Sequence, residues 1–123
     1  MVVNLTNITQ IKTAVLDSMD IYDYIAVGTG TATPLITDTA LGTEVDRNIT
    51  TSNIKNVALG TYLFATTFTV SEANGNTLSE YGVFDLASGG EMWSRNLITP
   101  NIVKTTDIEV VAYTQTNIKV TNT

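Results

Sequence analysis

The sequence predicts a mainly β domain, an antiparallel β-sandwich or barrel of about seven strands with one short N-terminal helix. Three observations carry this expectation. Tyr62, Phe64, Thr66, Phe68 and Val70 alternate with Leu63, Ala65, Thr67 and Thr69, which is the two-residue period of an extended chain with one face in a core. Turn chemistry recurs at short intervals, at Gly28 to Pro34, Asn74-Gly75-Asn76 and Ala87-Ser88-Gly89-Gly90. Only near the N-terminus does the spacing change, where Ile8, Ile11, Val15 and Met19 recur at three and four residues and share one stripe of a helix.

Taken in order, the helix spans residues 8–19, with Asn7 and Gln10 placed as a capping box. Tyr24-Ile25-Ala26-Val27 is a short apolar strand closed by Gly28, and Thr29 to Pro34 is loop. Thr37 to Gly42 is expected to form one helical turn, with Asp38 near its start and Gly42 closing it. A strand follows over Glu44 to Thr51, and the alternating strand after it runs from Tyr62 to Val70. Asn74-Gly75-Asn76 should reverse the chain into a hairpin partner, Leu78 to Leu86, because Asn and Gly accept the positive φ of tight turns. The glycine turn at 87–90 leads to a strand from Met92 to Ile98, which Pro100 is expected to end. Ile108 to Tyr113 alternate again, and Ile118 with Val120 marks a short last strand. With no repeat or linker, residues 1–123 read as one domain, large enough to bury roughly two thirds of its unfolded surface.

Composition narrows the function. A chain that is 43% hydrophobic and 15% charged folds rather than staying disordered. Its net charge of −6, with six Lys and Arg scattered from Lys12 to Lys119, argues against nucleic acid and against anionic membrane surfaces. No apolar run approaches the roughly 18 residues of a bilayer span. Cysteine is absent, so no disulfide, thiolate nucleophile or sulfur-ligated metal is expected. Met1 to Gln10 does not resemble a secretory signal, which makes the Asn-x-Thr sequons at Asn4, Asn7 and Asn48 incidental.

The same residues offer little for catalysis. Histidine, the usual neutral-pH acid and base, is absent. Asp38, Glu44, Glu72, Glu80, Asp85 and Glu91 could supply a carboxylate pair, but nothing in the sequence pairs them, and they are expected as solvated loop or strand-end groups. Gly28-Thr29-Gly30 lacks the third glycine of a dinucleotide loop and reads as a turn. Asp17, Asp20 and Asp23 could face a hard cation from a continuous helix, yet their spacing is not that of a calcium loop and a surface position is expected. No cofactor or metal is expected. Glu80, Tyr81, Phe84, Trp93 and Arg95 are the candidate hairpin or interface residues. Tyr81 and Trp93 could alternatively stack on cell-surface glycans, but strand geometry puts Tyr81 with Val83 on one face and Phe84 with Gly82 on the other, against a single aromatic platform.

The order of motifs carries a resemblance. Tyr24 to Thr31 is followed by Asp38-Thr39-Ala40-Leu41-Gly42-Thr43-Glu44-Val45-Asp46-Arg47, then Phe68-Thr69-Val70-Ser71-Glu72, Leu78-Ser79-Glu80-Tyr81-Gly82-Val83-Phe84-Asp85 and Ser88-Gly89-Gly90-Glu91-Met92-Trp93-Ser94-Arg95. This succession resembles the N-terminal attachment region of phage tail-collar fibre proteins, over roughly Tyr24 to Val120, with Leu41 to Arg47 and Glu80 to Asp85 as the matching segments. The resemblance implies a virion structural protein, partners among capsid or tail proteins, and a homo-oligomer with trimers favoured. It transfers no catalytic residue. After Val120 only Thr121-Asn122-Thr123 remain, so an adaptor, a capsid decoration protein or a short spike is expected rather than a complete fibre.

Overall fold

The computed structural model describes residues 8–119. Helix α1 (Ile8–Asp17) precedes the strands β1 (Tyr24–Gly28), β2 (Glu44–Ile49), β3 (Ser52–Asn56), β4 (Thr61–Phe68), β5 (Thr77–Phe84), β6 (Met92–Val103) and β7 (Val110–Asn117). These form two antiparallel sheets, one in the order β2-β1-β5-β6 and the other β3-β4-β7. Of the sandwich or barrel expected from the sequence, the two-sheet sandwich is the observed architecture.

The core lies between the sheets. Ile25, Val27, Leu78 and Val83 from the first sheet meet Tyr62, Phe64, Phe68, Val110 and Ala112 from the second. The predicted alternation of β4 holds from Tyr62 through Phe68 and stops there, since Val70 lies beyond the strand and is 47% exposed. Leu16 and Met19 close one end of the core; Met19 sits in the turn after α1, two residues past the helix end. The capping residue Asn7, the sequons at Asn4 and Asn7, and Val120 lie outside the described residues.

A second apolar cluster lies on the opposite face of the first sheet, where Ala26, Phe84, Tyr24 and Met92 are covered by Leu41 from the long loop between β1 and β2. That loop contains no helical turn. Residues 37–42 run as irregular chain after a turn at Ile36–Thr37, because the backbone N–H of Gly42 donates to a side chain of β5 and not to a carbonyl one turn back.

Four further expectations are corrected. The strand starting at Glu44 bends at Thr50–Thr51: Thr50 N–H donates to Asp23 in the first sheet and Thr51 N–H to Ala65 in the second, so the chain passes between sheets. The resulting β3 was not foreseen, since all its residues are exposed and Ser-Asn-Ile-Lys-Asn has no alternation to detect. Asn74-Gly75-Asn76 is not a hairpin turn, because β4 and β5 belong to different sheets and residues 69–76 cross between them. Nor does Pro100 end its strand. The register passes from Glu80↔Leu97 to Leu78↔Ile102, so residues 98–101 bulge out opposite Ser79 and Pro100 stands where no ladder N–H is needed. At the C-terminal side β7 extends to Asn117, and Ile118 and Lys119 are not a strand. The glycine turn at 87–90 does make a hairpin, with Gly89 and Gly90 at φ of 61° and 77° joining β5 to β6.

Candidate functional site

β5 and β6 pair Gly82 with Arg95 and Val83 with Ser94, which brings the five candidate residues into one hairpin but onto two faces. Glu80 and Phe84 point to the outer face under the β1–β2 loop, and Tyr81 and Trp93 pack toward the core between the sheets. Glu80, expected as a solvated carboxylate, is fully buried. Its Oε1 accepts from the N–H groups of Gly30 (2.9 Å) and Thr43 (2.8 Å), and its Oε2 from Gly42 N–H (2.9 Å) and Arg95 Nε (2.7 Å). Burial pushes the carboxyl pKa up, yet the backbone N–H groups of Thr43 and Gly42, the Arg95 guanidinium and Gly30 N–H outweigh it and hold Glu80 below the ordinary carboxylate value. Arg95 extends the pairing to Asp38 in the same loop at 3.2 Å. One side chain thus fastens both ends of the loop to the sheet.

Sequence reasoning missed the neighbouring clamp. Arg47 lies 3.7 Å above the centroid of Phe84, binds the Glu44 carboxylate, and donates from Nη1 to the carbonyls of Leu86 and Gly89, both at 2.8 Å. Its only sequence signal was its place in the quoted Leu41 to Arg47 segment.

The aromatic residues on the inner side do not make an open platform. The Trp93 ring sits 5.3 Å from that of Tyr22, tilted by 47°, and its indole N–H donates to Thr116 Oγ1 at 3.0 Å. Tyr81 instead lines a cleft of about 360 Å³ between β5–β6 and β7, with Leu97, Ile98, Ile102, Val110 and Tyr113 among its walls. The two sheets meet through the bend between β2 and β3 on one side, and on the other β6 and β7 are the edge strands beside this cleft.

The aspartates at and just after the end of α1 are at the surface as expected, and a lysine occupies the place a cation would take. Lys55 Nζ lies 2.6 Å from Asp17 and 3.1 Å from Asp20, while Asp23 accepts from Asn53. Asp20 also accepts from the Tyr62 hydroxyl at 2.6 Å. Burial first, and then that carboxylate, push the Tyr62 hydroxyl up to about 12. An ultraviolet titration should show one tyrosine ionising near this value, absent in Tyr62→Phe, which should cost the fold about 1 kcal/mol. No group of three or more potential metal-ligating side chains occurs among the described residues.

No protein-family model matches the chain, and no curated protein matches it.

Proposed function

We propose that the chain is a non-enzymatic structural subunit of a tailed virus particle, one that docks on capsid or tail as a decoration, adaptor or short fibre protein and associates with further copies of itself. The observation that supports this reading is the side of the sandwich formed by the edge strands β6 and β7, which pair with no further strand among the described residues. Neither Asn96–Val103 of β6 nor Val110–Asn117 of β7 contains an Asp, Glu, Lys or Arg, in a chain of net charge −6. Val103, Val111 and Tyr113 are exposed there by 60%, 59% and 65%. Edge strands present unpaired backbone groups, and soluble domains ordinarily guard them with charge. An acidic domain that leaves this side uncharged can meet another subunit there without like-charge repulsion.

The resemblance to tail-collar attachment domains points the same way. Its two matching segments, Leu41 to Arg47 and Glu80 to Asp85, are the ones that grip each other through Glu80 and Arg47, so their co-occurrence has a structural cause.

Mass spectrometry of purified particles tests the proposal. The chain should be present at a fixed copy number relative to the major capsid protein; high copy number assigns decoration and low copy number assigns tail apparatus, whereas absence from particles removes the reading. The paired change Val111→Glu and Tyr113→Glu should weaken self-association in sedimentation by about tenfold or more with the fold intact, since both side chains are mostly exposed.

A further inference from the structure

Lys104 is fully buried, and among the described residues it has no carboxylate within ion-pair distance. Its Nζ lies 2.9 Å from Asn74 Oδ1 and 3.1 Å from the carbonyl of Thr105. Both backbones are held in place. Gly75 N–H donates to Lys104 O at 3.0 Å and Lys104 N–H to Asn76 O at 2.9 Å, continuing the ladder beyond Thr77↔Val103. The carboxamide is fixed at its other end as well, because Asn74 Nδ2 donates to Val70 O at 2.8 Å. An amine and an amide group are thereby held side by side, on two segments joined by backbone hydrogen bonds.

We propose that Lys104 and Asn74 join through an intramolecular isopeptide bond. Lys104 gives up a proton, its Nζ lone pair attacks Asn74 Cγ, and the tetrahedral adduct expels the Asn74 amide nitrogen as ammonia. One C–N bond forms and one breaks; of the two protons that Nζ loses, one completes the departing ammonia and the other leaves with it as ammonium, and no oxidant or other reactant is consumed. Two physical arguments favour the step. Holding reactants in contact converts a slow bimolecular aminolysis into an intramolecular one. Burying an ammonium without a counter-ion is costly, and the amide product has no charge to bury.

The bond would tie residue 74, in the β4–β5 crossover, to residue 104, where the chain leaves β6 to cross back to β7. Both crossovers would be fastened at the same end of the sandwich, in a chain with no cysteine to make a disulfide. A covalent link across 30 residues restricts the unfolded chain as a disulfide does. This inference is independent of where the protein resides.

Intact mass spectrometry of the full chain tests it. The purified protein should be lighter than its sequence by one ammonia, and trypsin should yield a branched peptide joining residues 56–95 to 96–119, uncleaved at Lys104. A succinimide at Asn74-Gly75 would lose the same mass, but it leaves Lys104 cleavable and takes up water in mild alkali. Full sequence mass, or the mass loss without the branched peptide, would overturn the proposal. K104R and N74A should each keep the full mass; the branched peptide of the unaltered chain decides the matter even if either variant misfolds.

Discussion

Glu80→Gln should destabilise the domain by about 3–5 kcal/mol, measured as the shift of a urea or guanidinium unfolding transition. The substitution keeps the shape and removes the charge. Each carboxylate oxygen accepts two hydrogen bonds, Oε1 from Gly30 and Thr43, Oε2 from Gly42 and Arg95. Glutamine has one acceptor oxygen, so its NH₂ must face two donors whichever way it turns, and Arg95 keeps a buried charge with only Asp38 to answer it. Against a total stability of about 5–15 kcal/mol for an ordinary domain, that loss is large.

Acid should expose the same dependence. Glu80 ionises below the ordinary carboxylate value in the folded state, so its contribution is complete above the unfolded value and is lost as pH falls through the folded one. In E80Q the corresponding part of the acid slope should vanish. A slope equal to that of the unaltered protein would mean that other carboxylates govern acid unfolding. Arg95→Met should cost less than E80Q, because Glu80 would retain three backbone donors and an unpartnered buried Nη2 would be removed.

Gly30→Ala should cost about 1–3 kcal/mol by crowding the same carboxylate. A Cβ at position 30 would stand 2.5 Å from Oε1 and 2.7 Å from Cδ of Glu80, closer than real contacts allow. Gly28 is confined first by the Thr43 carbonyl and then by the same carboxylate, whose Oε1 would lie 2.6 Å from a Cβ there. Either Glu80 leaves its donors or the loop lifts from the sheet. In the background of Glu80→Ala that obstacle is gone, so G30A should become nearly neutral, and the two changes should couple by about 0.5–3 kcal/mol in a double-mutant cycle. Strict additivity would show that Gly30 is constrained by something other than the carboxylate. In the Gly28-Thr29-Gly30 segment, glycine at 30 is thereby explained by close approach to a buried charge, and glycine at 28 by the Thr43 carbonyl together with that charge.

Legibility followed the range of the cause. β4 and the β5–β6 hairpin were readable because alternation and consecutive positive-φ glycines are local properties of the chain. The segregation of Tyr81 with Val83 from Phe84 with Gly82 was readable for the same reason, since it needs only strand geometry. β3 was not, as an exposed polar strand is defined by its partner β4 and by no pattern of its own. Asn74-Gly75-Asn76 has hairpin chemistry, but turn residues specify that the chain bends and not which sheet it enters next. A proline removes one ladder bond and so signals a stop at Pro100; the bulge that accommodates it depends on the register around Ser79.

The site divides along the same line. Glu80 and Arg95 were picked out together because they flank one hairpin, and the sequence by itself determined that they would lie on neighbouring strands. Whether they would be solvated or buried depended on the β1–β2 loop folding over them, and that loop has no periodicity to read. Three donors of this centre are the backbone N–H groups of Gly30, Gly42 and Thr43, which no side-chain pattern announces. Lys104 beside Asn74 is likewise a product of two crossovers meeting at one end of the sandwich, 30 residues apart. Alternation, turns and charge balance are written residue by residue and determined a mainly β domain, sandwich or barrel, with a net negative charge. The buried ion pair, the two edge strands and the lysine–asparagine contact were decided only by tertiary structure, because each arises from residues that the chain brings together after its strands have paired.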